Sequence, residues 1–328
     1  MNRALITLFS ATVLVLSAAH GALAAEQKLN RTWRYPSAEG KQLVVDAGDM
    51  DVLVRAGDVR RVAVTAEVKI AGVTKNQAKR WIASHTPVFT DGDGRLDVSV
   101  GKNKRGFIGL GMITAKAHLT TVLPIFMVPD VTTNKGAIEL WGDFPRARPL
   151  RLRTAEGKIQ MTGAAASVDV RTVSGDARIE VVRPLDSFFA RTASGNITLT
   201  GGARKVQVDT ASGNIWLNNL SGPAKIVTSK GKVTLRWDRI DSGVPIRVRN
   251  TSGTVRIILP KGVQPSGELR TTAGKISSDL TAQISGDGKT VTFTGDGPAL
   301  DVETASGRIE LIQKEDGWKI TPPPITEQ

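Results

Sequence analysis

The chain has 328 residues, no cysteine and a formal net charge of +13 at pH 7. The absence of cysteine excludes a disulfide framework and a lipid-modified cysteine, and a chain of roughly 300 residues can bury a sizeable core without either. The excess of basic residues favours anionic partners but does not define a fold.

The first 24 residues have the layout of a secretory signal peptide. Arg3 precedes an apolar run at 4–19, and small residues follow at 22–24. The run is shorter than the ~20 apolar residues of a membrane-spanning helix and ends in a cleavage-like site. We therefore predict that residues 1–24 are removed, which lowers the charge from +13 to +12 because Arg3 is lost. A retained membrane anchor is the alternative.

A short amphipathic helix is predicted at 74–83, where Ala78, Trp81 and Ile82 fall near one face. Stacks of β-repeats need terminal covers, because an open end exposes apolar columns and unpaired strand edges. We expect this helix to cap one end of the domain. Docking of a partner is the alternative use.

The segment at 101–116 mixes basic residues, glycines and apolar residues. Two interpretations stay open, namely a strand pair with glycine bulges packed on the domain, or a contact with a membrane or partner. Its glycines do not form a phosphate-binding fingerprint.

Nine copies of a Thr-x-x-Gly-x-aliphatic motif occupy the rest of the chain. Successive glycines are 18 to 22 residues apart, except for the last gap of 33 residues. The central glycines are Gly136, Gly157, Gly175, Gly195, Gly213, Gly231, Gly253, Gly274 and Gly307.

Apolar columns flank these glycines. The positions two after and five before the glycine are apolar in all nine copies, and the position four after is broken only by Ser278. The intervening positions are mostly polar, and this period-two alternation is typical of β-strands. Each repeat therefore supplies two short strands joined by a turn, where glycine can adopt a positive φ.

No repeat can bury its apolar face alone, so we expect successive coils to stack. Because parallel crossover connections are nearly always right-handed, the predicted fold is an all-β, right-handed β-solenoid or β-helix-like stack. An antiparallel β-sandwich is the alternative.

This fold predicts a single domain at 25–313, with N-terminal strands and the capping helix at 40–118 and repeat coils mainly at 120–313. The Pro-rich end at 314–328 is expected to be a mobile tail. In the long last gap, Val291 and Phe293 alternate between two Gly-Asp-Gly segments, which predicts an inserted β-hairpin.

The threonine three residues before the glycine recurs in eight copies, and Asn250 is the one substitute. A catalytic nucleophile would not need eight copies. Threonine is a good strand residue whose hydroxyl can satisfy turn amides, and asparagine can do the same. We assign the column to coil building.

Several segments resemble the putative-adhesin β-strand-repeat family of bacterial domains of unknown function. They are residues 44–54 with Asp46-Ala47-Gly48-Asp49, Ile257-Ile258-Leu259-Pro260, Thr271-Thr272-Ala273-Gly274-Lys275-Ile276, and Thr304-Ala305-Ser306-Gly307-Arg308-Ile309-Glu310-Leu311. The resemblance covers nearly all of the mature chain. It implies a β-solenoid-like fold in exported or envelope-associated proteins, and it brings no catalytic residues.

The column four residues before the glycine is rich in arginine. It reads Arg153, Arg171 and Arg191 on three successive coils and resumes with Arg249 and Arg270. One interpretation is a solvated face with ion pairs such as Asp169 with Arg171. The other is an outward stripe that binds phosphate or carboxylate groups of an anionic envelope glycan or lipid head group.

An enzyme acting on polysaccharides, a lyase or glycosidase, is the rival hypothesis. The one candidate cluster of acids is Glu268 and Asp301, with Glu303 beside them. Only His85 and His118 remain after signal removal, so neither a histidine metal site nor a catalytic triad is predicted, and no cofactor is expected.

The sequence thus favours a non-catalytic, adhesin-like envelope protein that is periplasmic, secreted or on the cell surface and soluble after cleavage. A passive scaffold that binds another envelope protein is the second alternative. Nucleic acid is not an expected partner, because the chain is predicted to be exported and has a single Tyr for base stacking. No segment of the mature chain is long and apolar enough to span a membrane.

Overall fold

The computed structural model describes residues 26–92, 94–101, 114–144 and 148–313. The predicted signal segment at 1–24, the tail at 314–328 and residues 102–113 of the basic segment lie outside these ranges. The chain divides into two compact units, one ending at Trp141 and the other beginning at Gly142. A single domain over the whole mature chain stays a prediction.

The first unit contains nine strands and one helix among its described residues. They are β1 (Gln27–Pro36), β2 (Gln42–Asp46), β3 (Asp51–Gly57), β4 (Arg61–Ala71), α1 (Lys75–Ser84), β5 (Val88–Gly92), β6 (Arg95–Ser99), β7 (Thr114–Pro124), β8 (Val128–Thr132) and β9 (Ile138–Asp143). One sheet has the order β1-β4-β7-β3-β9, and the other has the order β8-β2-β6-β5. The strands β1, β4 and β7 are antiparallel, whereas β3 runs parallel to β7 and β9.

Helix α1 confirms the predicted helix. Thr74 caps it, since its hydroxyl accepts the N–H of Gln77 at 3.3 Å and the Gln77 side chain accepts the N–H of Thr74 at 2.9 Å. The helix contacts β4 and the edge strand β1. Its apolar side belongs to a small cluster of Ile70, Val73, Ala78, Trp81 and Ile82.

The second unit contains strands β10 to β27. They are β10 (Leu150–Arg153), β11 (Ile159–Ala164), β12 (Ser167–Arg171), β13 (Ala177–Val181), β14 (Ser187–Ser194), β15 (Ile197–Thr200), β16 (Val206–Ser212), β17 (Ile215–Leu220), β18 (Ala224–Lys230), β19 (Val233–Trp237), β20 (Pro245–Ser252), β21 (Val255–Leu259), β22 (Ser266–Thr271), β23 (Ile276–Ser278), β24 (Gln283–Ile284), β25 (Thr290–Thr294), β26 (Ala299–Thr304) and β27 (Ile309–Gln313).

Each repeat of this unit places its first strand in one sheet and its second strand in the other. The first sheet has the order β10-β12-β14-β16-β18-β20-β26-β22-β25-β24, and the second has the order β11-β13-β15-β17-β19-β21-β27-β23. Pairing between repeats is parallel, as in β14 with β16 and β15 with β17. The β-solenoid-like stack is therefore confirmed, and a sandwich of antiparallel hairpins does not describe this unit.

The apolar columns form the core of the stack. Ile215 lies between Ile197 and Val233 in register, and all three side chains are buried. Burial of each such aliphatic side chain contributes about 1.5 to 3 kcal/mol. The columns predicted from the repeat are thus what holds successive coils together.

The glycine column is required mainly by the close approach of neighbouring coils. A Cβ on Gly213 would overlap the carbonyl oxygen of Gly195, and Gly213 also has a φ of +123°. Gly175, Gly274 and Gly307 do not have a left-handed φ, yet a Cβ on each would meet the backbone of an adjacent coil. The predicted positive φ therefore explains the need for glycine at only some positions of the column.

The threonine column has the structural role that the sequence predicts. In three repeats the hydroxyl accepts the N–H of the motif glycine, as Thr154 does from Gly157 at 3.0 Å. In three others it donates to a carbonyl two residues later, as Thr210 does to Ser212 at 2.9 Å. In both arrangements the threonine hydroxyl forms a hydrogen bond with the backbone of its own turn.

The last coil does not follow the chain order. Strands β26 and β27 insert between β20/β21 on one side and β22/β23 on the other. The predicted hairpin is confirmed as β24 and β25, and β25 pairs antiparallel with the free edge of β22. The expectation that coils stack strictly in sequence is therefore wrong here, because the hairpin occupies the edge that the closing coil would need.

Candidate functional site

Three of the predicted arginines are neighbours on the outer face of the first sheet. Arg153 on β10 is in register with Arg171 on β12, which is in register with Arg191 on β14. The parallel strands place them in one row along the stack, about 4.8 Å apart from strand to strand. The next two positions of the row are Asp209 and Val227.

A second outward column lies six residues before the glycine. It adds Arg151 and Phe189, which were not predicted as site residues. Arg151 lies on β10, and its row continues through Asp169 to Phe189. The guanidinium carbons of Arg171 and Arg191 lie 5.5 and 5.8 Å from the centre of the Phe189 ring. The positions of Arg151 and Phe189 in this column could be predicted from the sequence. We name Arg151, Arg153, Arg171, Arg191 and Phe189 the arginine patch.

Two arginines of the arginine patch form ion pairs with aspartates of the same two columns. Arg171 forms two hydrogen bonds of 3.1 Å with Asp169, which confirms the expected pairing. Arg191 contacts Asp209 at 3.1 Å. On these two columns of β10, β12, β14 and β16, arginine occurs four times and aspartate twice. The side chains of Arg171 and Arg191 are 49% and 58% exposed.

The other two arginines of the predicted column are not neighbours. Because β26 inserts between β20 and β22, Glu303 lies in register between Arg249 and Arg270. The expectation that the arginine row resumes there without interruption is wrong. Arg249 contacts Glu303 at 3.3 Å, and Arg270 contacts Glu268 at 3.4 Å.

The strongest ion pair of this region joins Arg249 to Asp301. The guanidinium donates two hydrogen bonds of 2.8 and 2.7 Å to the two carboxylate oxygens. The hydrogen bond from Arg249 holds the pKa of Asp301 below its usual range, and the same bond raises the pKa of Arg249. Arg270 adds a longer contact to Asp301 at 3.7 Å.

The predicted cluster of acids does form, but its environment does not suit acid–base chemistry. Glu268 is in register with Asp301, as expected. A general acid of a glycosidase needs a raised pKa, whereas the pKa of Asp301 is lowered by Arg249. The carboxylates of Glu268 and Glu303 also face arginines. Asp301 and Glu303 therefore join neighbouring strands through arginines, whereas Glu268 pairs with Arg270 on its own strand, β22.

The two histidines have local partners. Nδ1 of His85 lies 2.8 Å from the carbonyl oxygen of Trp81 within α1, and the residue is buried. His118 lies 3.3 Å from the carboxylate of Asp51. Across the described ranges, no group of three or more histidine, aspartate or glutamate residues could hold a metal ion. In the same ranges, no helix has the length and apolar character of a membrane span.

A ladder of side chains at the position after the glycine is a further feature that the sequence did not predict. The Asp176 carboxylate accepts the backbone N–H of Asn196 at 2.7 Å, and the side-chain carbonyl of Asn196 accepts the backbone N–H of Asn214 at 3.0 Å. Asn214 accepts the N–H of Lys232 at 2.9 Å. A cavity of about 330 Å³ lies beside the ladder and is lined in part by Lys158. The ladder gives these polar residues a structural role in the turn.

Comparison with known proteins gives a family and distant structural matches. A family model described as Toastrack DUF4097 matches residues 41–312. Similar solved structures include a "putative adhesin" from Bacteroides fragilis (14% identity, 87% of this chain and 97% of that chain covered, TM-score 0.36). A "putative adhesin" (13%, 87% and 97%, TM-score 0.39) and a "putative lipid binding protein" (14%, 86% and 96%, TM-score 0.38), both from Parabacteroides distasonis, are also similar. No curated protein matches the sequence.

Proposed function

The chain belongs to the Toastrack DUF4097 family, and we propose that it is a non-catalytic, exported, adhesin-like binding protein of the bacterial cell envelope. The proposed ligands are phosphate or carboxylate groups of an envelope glycan or of lipid head groups. The observation that carries this proposal is the arginine patch on β10, β12 and β14, where three arginines lie in register on adjacent strands.

The chemistry of arginine favours anion binding at this place. Each guanidinium presents a planar set of donors that can bind a carboxylate or phosphate through two parallel hydrogen bonds. Two such groups on adjacent strands repel each other by roughly 1 kcal/mol even at the dielectric constant of water. A bound anion would reduce this repulsion.

The spacing of the row favours an extended polymer over an isolated anion. Arg153, Arg171 and Arg191 repeat once per coil, and strands in a sheet are about 4.8 Å apart. The length of one sugar ring in an extended chain is close to this distance. A polymer of acidic sugars that runs along the stack would therefore meet one guanidinium group per sugar.

Phe189 supports the geometry of the site. Its ring lies under the guanidinium groups of both Arg171 and Arg191, and this contact is attractive because the ring face is electron-rich. The contact limits the directions that two long side chains adopt before a ligand arrives. Less conformational entropy is then lost on binding.

Arg249 and Arg270 contribute less to the proposed site than their column position suggests. Their charges face Asp301, Glu303 and Glu268, so an anionic ligand would compete with carboxylates that are already in place. We therefore centre the proposed site on the arginine patch.

The test is a binding measurement on protein purified after export. Polygalacturonate, a neutral dextran and vesicles with or without phosphatidylglycerol are titrated against the wild type and R153Q/R171Q/R191Q. We expect polyanion affinity to fall roughly 100-fold in the variant, about one charge-assisted bond per arginine. We expect dextran not to bind either protein.

The results of this experiment distinguish a glycan ligand from a lipid ligand. They also distinguish a binding protein from an enzyme and from a scaffold. Arginine-dependent binding to vesicles alone assigns the site to lipid head groups. Equal polyanion affinity of wild type and variant would contradict the proposal. Release of soluble sugar products, abolished by E268A/D301A, would establish a polysaccharide enzyme instead. Absence of any polyanion binding, with a cross-linked protein partner in cells, would establish a scaffold.

A further inference from the structure

A row of three lysines crosses the antiparallel strands β1, β4 and β7 of the first unit. Lys28 is directly opposite Lys69, and Lys69 is directly opposite Lys116. All three residues are exposed. We name Lys28, Lys69 and Lys116 the lysine row.

This arrangement is unfavourable for the free protein. Residues directly opposite each other on antiparallel strands have Cβ atoms about 4.5 to 5.5 Å apart, and like charges at such positions are destabilising. Within the described ranges, no carboxylate forms an ion pair with any of the three ammonium groups. In the adjacent row of the same sheet face, Asp51 contacts His118 at 3.3 Å. Glu67 lies in the same adjacent row, directly opposite His118, so the lysine row has two neighbouring carboxylates but no ion pair within the described residues.

Helix α1 adds positive charge beside the ends of β1 and β4, which it contacts. Lys75, Lys79 and Arg80 occupy exposed positions on α1, and the sequence Lys75–Ser84 contains no acidic residue. The apolar side of the helix is turned toward Ile70 and Val73. Because Ile70 and Lys69 point to opposite faces of β4, the helix packs on the other side of the sheet from the lysine row, and its cations are not counted in this surface.

We propose that the lysine row rests on an anionic phospholipid surface. Lipid head groups diffuse laterally and can gather under point charges, whereas a polymer of fixed spacing suits a row of bidentate guanidinium groups better. The three lysines lie on three neighbouring strands of one sheet face, so their ammonium groups can reach a flat surface together.

This surface is independent of the arginine patch, which belongs to the second unit. The experiment measures the partitioning of protein purified after export onto phosphatidylglycerol/phosphatidylcholine vesicles by co-sedimentation at low salt. The test variant is K28Q/K69Q/K116Q. The matched control is K205Q/K230Q/K232Q, which removes three exposed lysines from the second unit.

We expect the test variant to partition roughly 100-fold more weakly than the wild type, which corresponds to about fivefold per lysine. The control should stay within about threefold of the wild type, since only general attraction is lost. Thermal melting checks folding, and the test variant should melt at or above the wild-type temperature because like charges are removed.

Three outcomes overturn the proposal. They are no partitioning of the wild type on the anionic vesicles, equal losses in the two variants, and lysine-row dependence toward soluble polygalacturonate without dependence toward vesicles. Loss of polygalacturonate binding in R153Q/R171Q/R191Q is a separate result, so failure of one proposal does not decide the other.

Discussion

Arg249 donates two hydrogen bonds to the carboxylate of Asp301, at 2.8 and 2.7 Å, across 52 residues of sequence. The pair joins β20 to β26 and therefore fixes the closing coil beside β20 instead of beyond β22. The ion pair stabilises the observed position of the closing coil, in which β26 lies between β20 and β22.

Replacing Asp301 should destabilise the protein in a pH-dependent way. Since Arg249 lowers the pKa of Asp301, the stabilisation is fully present above the unfolded-state pKa of about 3.9 and is lost as pH falls through the folded-state pKa. We expect D301N to cost on the order of 1 kcal/mol at pH 7, a figure reduced for solvent screening. Denaturant unfolding at pH 7 and in acid checks this, and an equal loss at both pH values would contradict it.

Asn250→Thr should stabilise the stack. Asn250 replaces threonine in the motif column, and among the described residues neither polar atom of its buried side chain has a hydrogen-bond partner. A threonine hydroxyl at this position could donate to the carbonyl of Ser252, as Thr210 does to Ser212. We expect a gain of about 1 kcal/mol in the free energy of unfolding. Asn250→Ala serves as control, and a stabilisation by alanine as large as that by threonine would contradict the role of the hydroxyl.

Gly213→Ala should be strongly destabilising because its Cβ would overlap the Gly195 carbonyl oxygen. We expect a loss of roughly 3 kcal/mol or more. Gly243 is a matched control, since its φ of +70° is also left-handed but a Cβ there meets nothing within 4 Å. Gly243→Ala should cost only about 1 kcal/mol. Similar melting temperatures for the two variants would show that coil spacing does not require glycine.

Phe189→Leu should weaken polyanion binding with little change in stability. Leucine keeps an apolar side chain on β14 but removes the aromatic face under Arg171 and Arg191. We expect affinity for polygalacturonate to fall about threefold, the contribution of an exposed cation–π contact. Calorimetric titration measures this, and Phe189→Tyr, which keeps the ring, should bind like the wild type.

The repeat could be predicted from sequence because every coil obeys the same constraints. Apolar columns such as Ile197, Ile215 and Val233 and the turn threonines are local and repeated, so a single chain shows them nine times. The stacking order of the last coil is not local. It depends on the hairpin at β24 and β25 and on side chains far apart in sequence, and the columns alone do not distinguish the two orders.

The candidate site could likewise be predicted only where the coils follow the chain order. Arg153, Arg171 and Arg191 could be placed in one row because their coils follow the chain order. The pairing of Arg249 could not be predicted, since its partner Asp301 reaches it only through the inserted coil. Arg151 and Phe189 in the second outward column were within reach of the sequence and were missed because that column was considered only for its acids.

The central claim is that the row of arginines in the arginine patch, and not arginine at every coil, creates the binding site. Its most direct test compares polygalacturonate affinity of R153Q/R171Q/R191Q with that of R247Q/R249Q/R270Q, which removes the same charge elsewhere. Arg247 lies on β20 in register with Asp301, and Arg249 and Arg270 contact Asp301, Glu303 and Glu268. We predict a loss of roughly 100-fold in the first variant and less than about threefold in the second, provided that both remain folded. Equal losses, or a larger loss in the second variant, would contradict the claim.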